Sequence, residues 1–408
     1  SIFYFIDLVV SIIGPVSDFF WEFPTNFEWY SSIPVLGEFS FSTFILVGSG
    51  IYFTFRLRFI QVAWFKKGVK ILARKYEGNT GISPLTAFLL SSGIRIGPGN
   101  ILGVTGAIAV GGPGALFWMW VSAFFGMATS YVESTLAQIF KERRGNEFIG
   151  GLPYYAKTLC NNKAWVGVIA SSAYIMYSLC GIPVDSFNTV TGIASLTRII
   201  TGTDFSVQSD VYYYIAAVVI FLVALMAFGG IKRVTKACDI VVPIMTSIYI
   251  LTVISLILYN YENVPYFFHV VFEGAFTPDA MFGGALGITL VQGVKRGLMS
   301  NEAGQGTITM AAGVAGAKHP CEQGLVGAVG VFLDTHIICT MTAFIIIMAH
   351  RYMIDPQGWE AAETYSRFLM SISSMTPGFL ETVISFLLSL CFSMFAYTCV
   401  IGMVTFSE

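Results

Sequence analysis

The sequence has 408 residues, of which 55% are hydrophobic and 11% charged, with a mean hydropathy of +0.73 and a formal net charge of −2. Soluble domains carry roughly a quarter charged residues, so this composition excludes an ordinary soluble protein and reads as an integral membrane protein. The apolar runs lack the period-2 alternation of an outer-membrane barrel, which leaves an all-α polytopic chain.

Residues 1–38, with Pro15, Pro24 and Pro34 among aromatics, are expected to form an interfacial N-terminal segment, and residues 39–408 a transmembrane domain. The N-terminal stretch holds no Lys or Arg, so no signal peptide is claimed. Apolar runs long enough to cross roughly 30 Å of hydrocarbon predict helices near 40–56, 84–110, 113–140, 165–195, 211–228, 237–259, 281–313, 321–349 and 378–404. The chain stops soon after the last run, as a piece of a longer protein would.

Basic residues accumulate in alternate loops: Arg56 to Lys75, then Lys141, Arg143, Arg144, Lys157 and Lys163, then Lys232, Arg233 and Lys236, then Lys318. The other side carries only Arg198, Arg351 and Arg367. Cytoplasmic loops collect such residues, which predicts a multi-pass cell-membrane protein with its N-terminus outside. Loop-by-loop alternation is what topology requires, and it argues against a nucleic-acid patch. Seven cysteines, without CxxC spacing and mostly inside apolar runs, indicate neither a disulfide framework nor a zinc site.

Two spans are punctuated abnormally. The second contains "SSGIRIGPGN" (91–100) and the seventh "QGVKRGLMSNEAGQG" (292–306). Pro98 cannot donate a backbone hydrogen bond and its glycine neighbours are permissive, so the helix is expected to unwind there. If the first span is accessory, the breaks fall in core helices one and six, with four unbroken helices between them. Five helices being an odd number, the second five start on the opposite side, which is the pattern of a five-plus-five inverted repeat with a midplane site. The half-helix N-terminus after a break suits a carboxylate, and the carbonyls before it suit sodium or an ammonium group. A zwitterionic amino acid has both ends.

Charges inside spans, Arg95, Glu133, Asp185, Lys295, Arg296, Glu302 and Asp334, should face one another or water. Glu302 is expected to pair with Arg95 or Arg296. No HExxH, GxSxG or P-loop pattern is present, so the chain does not read as an enzyme. A channel or a nontransporting amino-acid sensor on the same fold remains the alternative.

The stretches "GGPGALFWMWVSAFFG" (111–126), "RIGPGNILGV" (95–104), "YVESTLAQIF" (131–140), "GGLPYY" (150–155), "KRGLMSNEAGQG" (295–306), "HPCEQGLVGAVGVFLDT" (319–335) and "FAYTCVIG" (395–402) together resemble the alanine or glycine:cation symporter family. That resemblance implies an eleven-helix protein, an inverted-repeat core and sodium-coupled symport of a small neutral amino acid by alternating access. It implies no cofactor beyond the coupling sodium ion, the lipid bilayer as surroundings and a functional monomer. It further implies that Gly97, Pro98, Gly99 and Asn100 receive the substrate carboxylate and that Gly93, Ile96 and Thr398 hold sodium. Ser186, Gly293, Ser300, Asn301 and Met403 are expected around the rest of the substrate. Pro98, Ser186, Met403 and Cys399 depart from the family's usual residues, pointing to a larger, softer site and a substrate other than alanine.

Overall fold

The computed structural model describes Phe19 and residues 22–407, apart from 34–36, 38, 77, 79, 80, 146, 204–208, 277–283 and 352, and without the side chains of 284–287. Most of the expected interfacial segment, and the first residues of the seventh span, therefore lie outside the described residues.

The chain is helical nearly throughout. Helix α1 spans Phe41–Arg56, where the Ser40 hydroxyl caps the first turn by accepting from Thr43 N. A short amphipathic helix, α2, follows at Phe65–Leu72. The second span is split into α3 (Pro84–Arg95) and α4 (Leu102–Gly111), with Ser83 as N-cap and Pro84 in the first turn. Then come α5 (Ala115–Ile139), an antiparallel hairpin of β1 (Glu142–Arg144) and β2 (Glu147–Ile149), α6 (Ala164–Thr201), α7 (Asp210–Ala227) and α8 (Gly230–Tyr259). After α9 (Val264–Phe276), the seventh span is split into α10 (Gly284–Asn301) and α11 (Thr309–Val314). The last spans are α12 (Pro320–His350), which carries a π-helical stretch at Phe332–Cys339, and α14 (Gly378–Ser407), with α13 (Thr364–Met375) between them.

Among the described residues, α5, α6, α7, α8, α12 and α14 are long and apolar enough to cross a membrane. Helix α6 runs past its expected end at 195 until Gly202 (φ 69°) closes it, and α8 begins seven residues before 237. Hydropathy marks where a helix leaves lipid, whereas caps mark where it stops. Burial sorts the helices: 61% of the apolar window of α5 and 67% of those of α12 and α14 are covered by protein, against 11% for α6 and 6% for α7. Apolar yet uncovered, α6 and α7 face lipid, and α5 sits at the centre.

Glycine lets the neighbours approach α5. A Cβ at Gly293 would overlap Ala115 O, one at Gly297 would overlap the Ser122 hydroxyl, and one at Gly327 would lie 2.6 Å from Ser134 Oγ. This is the small-residue packing that membrane helices use where no hydrophobic force drives them together. Gly293→Val is expected to destabilise the protein by about 1–3 kcal/mol through this collision, read as a lower unfolding temperature in detergent. Gly106→Ala, with nothing within 4 Å of the added atom, should leave that temperature unchanged.

Candidate functional site

The first break covers Ile96–Ile101, with a 3₁₀ turn at Pro98–Asn100. Its backbone is held by Asn100, whose Oδ1 accepts from Gly97 N at 2.8 Å. Asn100 N donates to Gly97 O and Ile101 N to Pro98 O. Among the described residues Gly99 N–H has no acceptor, and it is followed by the first turn of α4, where helix N-termini leave N–H groups free. On the other side, no described donor reaches Gly93 O or Ile96 O at the end of α3.

The second break, residues 302–308, has Glu302, Gly304 and Gly306 at positive φ (53°, 84° and 80°). Here α5 supplies the partner: Glu133 Oε1 accepts from Gly304 N and Oε2 from Gly306 N, both at 3.2 Å. Asn301 Oδ1 accepts from Ala303 N at 3.0 Å.

A buried carboxylate joins the two breaks. Asp334, wholly enclosed in the π-helical part of α12, accepts from Asn100 Nδ2 at 2.6 Å, from Ser300 Oγ at 2.9 Å and from Thr335 Oγ1 at 2.9 Å. Cys339 joins the same group, 3.4 Å from Asn100 Nδ2 and 3.2 Å from Ser300 Oγ. The i→i+5 turn brings residues five apart onto one face, and such widened turns cluster at functional sites.

Arg95 fastens four helices. From α3, its Nε donates to Asn301 O of α10 at 3.1 Å, one Nη to Gly327 O of α12 at 3.2 Å and the other to Ser130 Oγ of α5 at 2.8 Å. Gly330 leaves the room, since a Cβ there would overlap the guanidinium. The expected ion pair is therefore absent: among the described residues neither Arg95 nor Arg296 is within salt-bridge distance of Glu302. Glu302 is held instead by Thr307 Oγ1 at 2.6 Å and Tyr177 OH at 3.2 Å, because its left-handed backbone turns the side chain toward its own loop and α6.

The other expected site residues fall into groups. Gly93 faces Thr398, with 3.6 Å between its Cβ position and Thr398 Cβ. Thr398 Oγ1 donates to Phe395 O at 3.0 Å, while the Cys399 thiol donates to Ile94 O at 2.9 Å. Gly97, Pro98, Gly99 and Asn100 lie in the first break, and Ser300 and Asn301 are the last residues of α10, immediately before the second. Met403 is buried and lies against Gly181 of α6, 2.9 Å from its Cβ position. Ser186 is half-buried further along α6 and makes no hydrogen bond to either break among the described residues. Gly293 lies more than two turns before the break, packed on α5. Asp334, Thr335, Cys339 and Glu133 were missing from the expected site. Asp334 and Glu133 had shown only as costly charges inside spans.

The start of α3 and the end of α11 are tied together. Ile82 N donates to Val314 O at 3.2 Å and Gly316 N to Ile82 O at 2.8 Å. Lys141, just past α5, donates to Ala315 O at 2.7 Å and Gln138 Oε1 at 2.8 Å. Burial pushes its ammonium down to about 8.

A family model described as the sodium:alanine symporter family matches residues 29–408. The amino-acid carrier protein AlsT of Bacillus subtilis is 36% identical over 399 residues, covering 98% of this chain and 77% of that protein. The probable sodium/glutamine symporter GlnT of the same organism is 39% identical, covering 83% of this chain and 69% of that one. The sodium/alanine symporter AgcS of Methanococcus maripaludis is 34% identical, covering 75% and 67% respectively. Among solved structures, MhsT in complex with L-phenylalanine superposes with a TM-score of 0.59 at 15% identity, covering 80% of this chain and 73% of that one. That last likeness is one of fold.

Removing the four-helix fastening should be severe. Arg95→Ala would strand Asn301 O and Gly327 O and leave neighbouring buried carboxylates without their cation, so a loss of roughly 3–5 kcal/mol is expected. A thermal melt of the purified protein in detergent reads it.

Proposed function

This chain belongs to the sodium:alanine symporter family, and from that premise we propose that it is a sodium-coupled symporter of a small neutral amino acid working by alternating access. Its relatives make it a multi-pass membrane transporter of the cation-coupled amino-acid class rather than an enzyme. The observation that carries the finer reading is the junction of two unwound helices through Asn100, Asp334 and Ser300.

In this reading the substrate carboxylate sits on the free N–H of Gly99 and the opening turn of α4, where the helix dipole is positive. Sodium takes the unclaimed carbonyls of Gly93 and Ile96 together with the Thr398 hydroxyl. The Cys399 thiol closes on Ile94 O where the family's usual hydroxyl would stand. Ser300 and Asn301 build the junction and act on the substrate through Asn100.

The architecture in this reading is a five-plus-five inverted repeat, with α3/α4, α5, α6, α7 and α8 as one half and α10/α11, α12 and α14 opening the other, after the accessory α1. In the same reading the N-terminus lies outside, which the alternation of basic loops supports. With Arg95 binding α3, α5, α10 and α12 into one body, that body rocks against α6, α8 and α14 in a monomer. One cation moving with a neutral zwitterion across 100 mV contributes about 2.3 kcal/mol, roughly 50-fold accumulation before any sodium gradient is counted.

The relatives' names span alanine and glutamine. With Met403 lying against Gly181 and a short Ser186, this pocket suits a side chain larger than a methyl group. Uptake of labelled small neutral amino acids into proteoliposomes, with and without an inward sodium gradient, tests the proposal. Gradient-driven accumulation of one amino acid is the expected result. A dissipating leak without accumulation would make the protein a channel, and binding without flux a sensor. Asn100→Ala and Thr398→Ala should each reduce sodium-dependent uptake by about tenfold or more while membrane insertion persists. Wild-type rates in both would sink the site assignment.

A further inference from the structure

We propose that Arg296 is a receiving group for the carboxylate of the incoming amino acid, one helical turn to the outer side of the first break. This rests on the transport reading above.

Two neighbouring cations of α10, Lys295 and Arg296, make no hydrogen bond or ion pair among the described residues, and Arg296 is the one on the face toward α4. Arg95 has its guanidinium engaged on three sides, whereas Arg296 makes no hydrogen bond or ion pair among the described residues. It is neither fully buried nor fully exposed. A charge at membrane depth with no protein partner faces water or a ligand.

Its position says which. Thr289, Gln292, Arg296 and Ser300 recur on α10 at spacings of three and four and so form one polar stripe. That stripe faces α4: Thr289 Oγ1 donates to Gly111 O at 2.7 Å, Gln292 Cβ is 3.2 Å from the Cβ position of Gly111, and Arg296 Cδ is 3.9 Å from that of Gly103. Ser300, one turn further in, is already part of the junction with Asp334. On the facing helix Gly103 stands one turn outward from Gly99, whose N–H is free and whose Cβ position has nothing within 4 Å. The Arg296 side chain therefore stands beside α4 one turn before the free amide. A planar, permanently charged fork matches a carboxylate with two parallel hydrogen bonds. An amino acid entering carboxylate first is caught there and moves one turn inward to the amides, releasing Arg296 as it does.

The test uses the full-length protein in proteoliposomes, with uptake of labelled L-alanine and L-glutamine by the wild type, Arg296→Gln and Arg296→Lys. In Arg296→Gln the KM of the transported amino acid should rise about tenfold or more, with half-saturating sodium unchanged. Arg296→Lys, which keeps the charge but loses the fork, should show a smaller rise, and it decides the matter if the Gln variant fails to reach the membrane. An unchanged KM in the variants overturns the proposal. So does a wild-type KM that rises when gluconate replaces chloride, because the occupant would then be an inorganic anion. Failure of the transport reading shows in the wild type, and failure of this one in the variants alone.

Discussion

A backbone that unwinds inside a bilayer must find partners for its N–H and C=O groups within the protein. In this chain two helices unwind at membrane depth, and buried side chains meet most of the demand. Glu133 takes the amides of Gly304 and Gly306, Asn100 takes that of Gly97, and Asn301 that of Ala303. Asn100 and Asn301 act within or beside their own breaks, whereas Glu133 comes from α5, which must stay put for the second break to persist. The central position of α5 and its glycine-mediated contacts with α10 and α12 follow from the same demand, since Glu133 and Ser130 are useful only at close range.

What the side chains leave unpaired matters as much as what they satisfy. Gly99 N–H and the carbonyls of Gly93 and Ile96 lack described partners, and they lie on opposite sides of one unwound turn. Donor on one side and acceptors on the other is a polarity that a zwitterion and a cation complete. The Arg95 fastening and the Asp334 junction hold that turn open at fixed geometry. Their cost in buried charge is offset by three side-chain hydrogen bonds on each group.

The spans and the two breaks were legible because hydropathy, Pro98 and the paired glycines act locally. Helix ends were less so: α6 and α8 continue beyond their apolar windows until Gly202 and Gly229 intervene. The unwound backbone at 97–100 was legible, and the side chains that converge on it from distant segments were not. Asp334 reaches Asn100 only because a π turn widens α12, a departure no periodicity announces. Glu302 misses the arginines because its φ is positive, and Gly293 packs on α5 more than two turns from the break.

The central claim is that one unwound turn serves amino acid and cation together. Equilibrium binding of labelled L-alanine and L-glutamine to the purified full-length protein, measured across sodium concentrations with potassium as the replacement ion, tests it most directly. Sodium should tighten binding of one of them, and that amino acid should tighten sodium binding by the same factor. Amino-acid affinity identical in sodium and in potassium would contradict the account.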